Sequence, residues 1–269
     1  MTVGALRARV LPPAIFGGSR SLLFFERNLR VARRAWIIPF SGFFEAFFYL
    51  LGLGIGLGTL VGSVTVGGAQ VPYEDFVAPA MLAASAMNGA IFETTGNVFF
   101  RLHYEGVYQT ALATPLSPAD VALAELLWAL ARGASYAVAF VVAMLALGLV
   151  ASPRAILLVP AALLVGLAFA AAGLTAVSLM KSWADAELVQ LVIVPLFLFS
   201  ATFVPLADYP GWAEWIVRGT PLYQGVVLMR DLSLGQVGPE ALLNVLYLVV
   251  MCGVLLAVAS RRFTRTLAK

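Results

Sequence analysis

A chain of 269 residues that is 61% hydrophobic and only 12% charged, with a mean hydropathy of +0.94, cannot clothe a water-facing surface. It belongs in lipid, which excludes an ordinary cytoplasmic enzyme, and at about 20 residues per crossing it has room for about six spans and no large extramembrane domain. The net charge of +3 comes from basic residues gathered at the two ends of the chain, a distribution that orients a membrane protein rather than one that grips nucleic acid.

Residues 1–35 read as a cytoplasmic N-terminus. Arg7, Arg9, Arg20, Arg27, Arg30, Arg33 and Arg34 precede any apolar core of signal-peptide length, so no cleaved signal is expected. Within 19–36, Leu22, Phe25, Leu29, Ala32 and Trp36 recur every three or four residues, while the arginines fall elsewhere on the wheel. That spacing predicts an amphipathic helix lying at the membrane interface. A first span over 36–62 would measure about 40 Å, enough to cross with tilt. Its outer half carries Gly52, Gly54, Gly56 and Gly58, a spacing that lets another helix approach closely. A polar loop over 63–75 without Lys or Arg leads to a second span over 76–100.

Residues 101–115, RLHYEGVYQTALATP, are too polar to span and predict a short helix at the cytoplasmic surface. Ser117, Pro118 and Asp120 then stand where an N-cap, a first-turn proline and a first-turn acid start a helix, giving a third span over 117–150. A tight turn at Ser152 and Pro153 opens a fourth span, 155–180. The fifth, 187–204, contains Pro195, which removes a backbone donor. Residues 205–239 are rich in Trp, Pro and Gly yet partly apolar, and predict a pair of interfacial or half-inserted helices. A sixth span, 240–260, ends in a basic cytoplasmic tail over 261–269.

This all-α, six-span arrangement is checked by its charges. With both termini inside, the inner side holds the seven N-terminal arginines, Arg101, Lys181 and the four basic residues of the tail. The outer side holds only Arg154, Arg218 and Arg230, and Arg132 lies within the third span, a bias that favours both termini in the cytoplasm.

Neither lysine, Lys181 or Lys269, stands in the Gly-Lys-Ser/Thr context of a phosphate-binding loop, so any ATP and its Mg must sit on another chain. One histidine, His103, and one cysteine, Cys252, supply no metal or nucleophile constellation, which speaks against a membrane-embedded enzyme. What remains is a set of ionisable groups inside spans: Glu45, Glu93, Glu125 and Arg132. The three acids fall about 12 to 14 Å in from the inner ends of their spans. Charges at that depth mark ion pairs that fix helix register or a polar path for substrate. Used as proton sites, the carboxylates would instead make an ion-coupled secondary transporter, the alternative reading.

The order of parts resembles the permease subunits of type-2 ABC exporters, and most closely the NodJ-like branch of lipo-oligosaccharide exporters, with drug-efflux permeases nearby. The carrying segments are YLLGLGIGLG (49–58), FVAPAMLAASAM (76–87) followed by Phe92 and Glu93, YQTALATPLSPAD (108–120), FSATFVPLADYPGW (199–212) and TPLYQGVVLMR (220–230). The resemblance implies a homodimer or heterodimer of permeases in the plasma or inner membrane, two separate ATP-binding subunits, and an amphipathic cargo. It implies a coupling helix contacting the ATPase through Tyr104, Glu105, Gly106, Val107, Tyr108 and Gln109. It also makes 205–239 an external re-entrant gate, with Pro205, Trp212, Trp215, Pro221 and Tyr223 as its marked positions and the two tryptophans at the headgroup level.

Overall fold

The structure is a computed structural model that describes residues 18–34, 44, 47, 48, 50–150 and 152–267. Glu45 and the first part of the predicted first span, 36–43 with 46 and 49, lie outside the described residues. The described elements run in chain order from α1 (Gly18–Arg34) to a π turn (Leu50–Ile55) continuing as α2 (Gly56–Val61), then β1 (Ser63–Val66) and β2 (Ala69–Pro72). There follow α3 (Tyr73–His103), α4 (Val107–Leu112), α5 (Pro118–Ala146) and, after a 3-10 turn (Pro153–Leu157), α6 (Leu158–Val177). The chain closes with α7 (Asp185–Leu198), α8 (Gly211–Gly219), α9 (Pro221–Leu234) and α10 (Glu240–Leu267). Among the described residues, four stretches are long and apolar enough to cross a membrane: Tyr73–His103, Pro118–Ala146, Pro153–Val177 and Glu240–Arg262.

The helix α6 forms the centre of the bundle. It has no charged residue, packs against α3, α5, α9 and α10, and buries 11 of its 20 residues against them, so it needs apolar side chains on most of its circumference. Lipid gives no hydrophobic drive between helices, and close approach at small residues supplies dispersion contacts instead. A Cβ on Gly166 would lie 3.8 Å from the Ala86 carbonyl of α3, and one on Gly173 only 2.0 Å from Thr94 Oγ1. The helix α10 shows the opposite pattern. Ala241, Asn244, Leu248, Cys252 and Ala259 are buried at helical spacing, while Leu242, Leu243, Leu246, Val250 and Val254 are exposed on the face a bilayer would cover.

Local chemistry explains the boundaries. Ser117 Oγ accepts from the Asp120 amide, and the Asp120 carboxylate accepts from the Ser117 amide at 2.9 Å, a capping box with Pro118 at the first position of α5. Ser117→Ala should cost about 1 kcal/mol of stability, read as a lower unfolding temperature in detergent with helical content unchanged. The predicted polar loop over 63–75 is instead a β-hairpin, because Gly67 and Gly68 take the two positive φ values, +57° and +84°, that a tight two-residue turn demands. The predicted helix over 101–115 is shorter. Arg101, Leu102 and His103 continue α3, Gly106 turns the chain at φ +61°, and only Val107–Leu112 form α4. The helical part of the predicted fifth span likewise stops at Leu198, and 199–204 runs without regular structure.

Candidate functional site

At the end of the bundle that carries α4, the helices α1, α3, α4 and α5 meet around four charged side chains. Glu93 and Glu125 are buried, and Arg101 and Arg132 are each exposed over less than a fifth of the side chain. Arg101 of α3 pairs with Glu125 of α5, and Arg132 of α5 pairs with Glu93 of α3. A diagonal contact of 3.5 Å joins Arg101 to Glu93. The two rungs have opposite polarity, so a slip of α3 against α5 by two turns would set like charges face to face.

The spacing that makes both rungs possible depends on a defect in α3. Glu125 and Arg132 are seven residues apart, two helical turns, and share a face. Glu93 and Arg101 are eight apart, and in a regular α-helix they would diverge by about 80°. The residues Glu93–Asn97 form a π turn, which takes up one extra residue and returns Arg101 to the face of Glu93. Across this turn Asn97 donates to Glu93 at 2.6 Å, while Thr94 and Thr95 donate back to the carbonyls of Ala90 and Ile91. Gly173 of α6 gives the widened turn its room.

Two further elements attach to Glu125. Tyr108, completely buried on α4, donates its hydroxyl to Glu125 Oε1 at 3.0 Å. Burial, and then the Glu125 carboxylate beside it, push the Tyr108 hydroxyl well above the ordinary tyrosine range, so it stays a donor. Asn28, buried on α1, donates to Glu125 Oε2 at 3.4 Å. Phe24 of α1 packs against the Tyr108 ring at 6.2 Å, and Phe25 against Trp128 at 6.1 Å. One carboxylate thus collects α1, α3 and α4 onto α5. Between α1 and α4 lies an open groove of about 500 Å³, with Arg20, Leu23 and Arg27 on one wall and Glu105, Thr110 and Thr114 on the other.

Of the residues predicted for this region, Tyr104, Glu105 and Gln109 are exposed, Gly106 makes the turn, and Val107 is half-buried. Tyr108 points inward, so its side chain anchors α4 rather than presenting a surface. Glu93, Glu125 and Arg132 come together, and Glu45 lies outside the described residues. Arg101, Asn28 and Asn97 join the network without having stood out in the sequence; the eight-residue interval from Glu93 to Arg101 became meaningful only with the π turn.

At the opposite end, Pro205 precedes a 3-10 turn (Leu206–Asp208), and Pro221 stands at the first position of α9, capped by Thr220. Trp212 and Trp215 are 74% and 79% exposed on one face of α8, and Tyr223 is half-buried. Arg230 is buried there, its guanidinium 3.7 Å from the Phe76 ring, and it donates to the carbonyls of Phe76 and Ala201. Ala201 takes a left-handed φ of +55°, which costs a residue with a Cβ about 1 kcal/mol.

A family model described as ABC-2 type transporter matches residues 21–234, a stretch from within α1 to the end of α9 that holds both ends of this arrangement. The chain belongs to the ABC-2 type transporter family, which places it among the membrane subunits of transporters rather than among enzymes. Nodulation protein J of Rhizobium leguminosarum bv. trifolii is 33% identical over 225 residues, covering 82% of this chain and 84% of that protein. Nodulation protein J of Rhizobium leguminosarum bv. viciae is 31% identical over 257 residues, covering 93% and 97%. That of Azorhizobium caulinodans is 28% identical over 233 residues, covering 84% and 90%.

Proposed function

We propose that this chain is the permease subunit of an ATP-driven exporter, and that α4 is the coupling helix through which a separate ATP-binding subunit moves the spans. The observation that carries the reading is the Tyr108–Glu125 contact. A displacement of α4 reaches a carboxylate already locked to α1, α3 and α5, so it moves those helices instead of being absorbed in a loose loop. ATP and Mg belong to the partner, because this chain has no phosphate-binding loop.

In this reading the chain has six spans with both termini cytoplasmic, in the plasma or inner membrane. It works as a homodimer or heterodimer of permeases. The helix α7 supports a second copy: it packs little against the other described elements and exposes Leu188, Leu191, Val192 and Val194. The cargo is amphipathic, a lipid-linked saccharide, a lipo-oligosaccharide or a hydrophobic drug, moving between the two copies. The segment 205–239 closes the outer mouth, with Trp212 and Trp215 at the headgroups of the surrounding lipids.

The test uses the exposed rim of α4. Glu105→Lys leaves the buried network intact and reverses the charge facing the partner. Co-purification with the ATP-binding subunit and substrate-stimulated ATP hydrolysis should both fall several-fold. Normal assembly and normal transport by this variant would remove α4 as the contact.

A further inference from the structure

The two ends of the bundle hold their charges differently. At the α4 end each half-buried guanidinium faces a buried carboxylate. At the other end, no carboxylate among the described residues lies within ion-pair distance of the buried Arg230. Its direct contacts are the Phe76 ring and two carbonyl dipoles on separate parts of the chain: Phe76 in the first turn of α3, at 3.2 Å, and Ala201 between α7 and α8, at 2.8 Å. The Asp231 carboxylate, next in the chain, acts on it only from beyond ion-pair distance. Removing one member of a buried ion pair strands a charge, whereas a carbonyl that leaves a guanidinium can be replaced by water. The inner pairs are built to stay made, and the Arg230 bonds to be remade.

The surroundings separate a fixed part from a movable one. Helix α9, which carries Arg230, packs along α3, α6 and α10, and its C-terminal Gly235 carbonyl accepts from Arg154 at 3.1 Å. The strap 199–204 has no regular backbone pairing. It follows the loosely packed α7 and contains the strained Ala201, while Ser200 and Thr202 are buried with their hydroxyls 2.7 Å apart. Besides Arg230, Tyr73 at the start of α3 reaches the strap, donating to the Phe203 carbonyl at 3.2 Å. The strained Ala201 backbone is held by the bonds that seat the strap, the one from Arg230 to its own carbonyl among them.

We propose that Arg230 is the latch of the outer strap: from its fixed place on α9 it seats 199–204 against the first turn of α3, and breaking its bond to the Ala201 carbonyl frees the strap and the α7 end it closes. This rests on the reading of that end as the outer mouth of a transport path. Arg230 acts as a positioning residue and touches no cargo in the seated form.

The experiment reads the strap directly. In a Cys252→Ala background, which removes the only cysteine, Thr202→Cys and Ser200→Cys place thiols on the seated strap, and Met144→Cys places one at a fully buried position near the same end, on α5. Each is expressed with its ATP-binding subunit in right-side-out membrane vesicles and labelled with a membrane-impermeant maleimide. Arg230→Met keeps the apolar bulk of the stem and removes the donors. Strap labelling should then rise about tenfold, the value of one charge-assisted hydrogen bond, while Met144→Cys stays slow. Arg230→Lys, with a single ammonium in place of a fork spanning two carbonyls, should fall between. Unchanged strap labelling in Arg230→Met overturns the latch, and so does an equal rise at Met144→Cys, which would mean general loosening. Cargo movement in the same vesicles tests the underlying reading separately. If freeing the strap leaves movement unaltered, that end is not the mouth, although Arg230 fastens it.

Discussion

Exchanging Glu125 for glutamine is expected to destabilise the bundle by about 3 kcal/mol, the scale for removing one partner of a buried ion pair. The amide keeps an oxygen for Tyr108 but removes the charge that Arg101 faces. The nearest remaining carboxylate, Glu93 at 3.5 Å from Arg101, is already engaged by Arg132, so two guanidiniums would share one acid. Thermal unfolding in detergent measures the loss. Adding Arg101→Met should recover more than half of it, because the double variant contains no stranded charge. If Glu125→Gln unfolds like the parent, the network is not the joint described here. A more discriminating result is expected for Tyr108→Phe, which keeps the buried ring and removes only the link from α4: assembly with the ATP-binding subunit should persist while coupling of hydrolysis to transport drops.

The second large effect is expected at Gly173. A methyl group there would sit 2.0 Å from Thr94 Oγ1 and 3.1 Å from Thr94 Cβ. The hydroxyl is not free to swing away without loss, since it donates to the Ala90 carbonyl at 2.7 Å inside the π turn. Gly173→Ala must therefore part α6 from α3, at a cost of about 2 to 3 kcal/mol. Because the π turn sets the register of Glu93 against Arg101, the damage should reach function as well as stability. Thr94→Ala in the same chain removes the hydroxyl and should restore much of the unfolding temperature. No recovery in the double variant would show that the cost arises elsewhere.

How much of this was legible beforehand divides along physical lines. Local signals read well: Ser117, Pro118 and Asp120 start α5 as their chemistry requires, and the Trp, Pro and Gly content of 205–239 resolves into α8 and α9. Depth in their spans predicts one level for Glu93 and Glu125, whereas they stand on different rungs, Glu125 with Arg101 and Glu93 with Arg132 two turns further along α5. Which acid meets which base was not legible, because the answer depends on a one-residue register shift that no periodicity in the chain announces. Asn28 reaches Glu125 across 97 residues of sequence, and only packing of α1 on α5 brings it there. The hairpin was hidden by its polarity, since Ser63, Thr65 and Gln70 look like loop residues until they pair across the turn. Arg230 had counted only as one charge on the outer side; its burial against Phe76 comes from α9 folding back into the bundle.

The account turns on one claim, that movement delivered to α4 by an ATP-binding partner drives cargo across the membrane. Reconstituting the chain with that partner in proteoliposomes, and following an amphipathic cargo while ATP and a proton gradient are supplied separately, addresses it most directly. The account predicts movement with ATP and both subunits present, none with the gradient alone, and strong loss in Tyr108→Phe despite an intact complex. Movement driven by the gradient in the absence of ATP and of the ATP-binding subunit would contradict it.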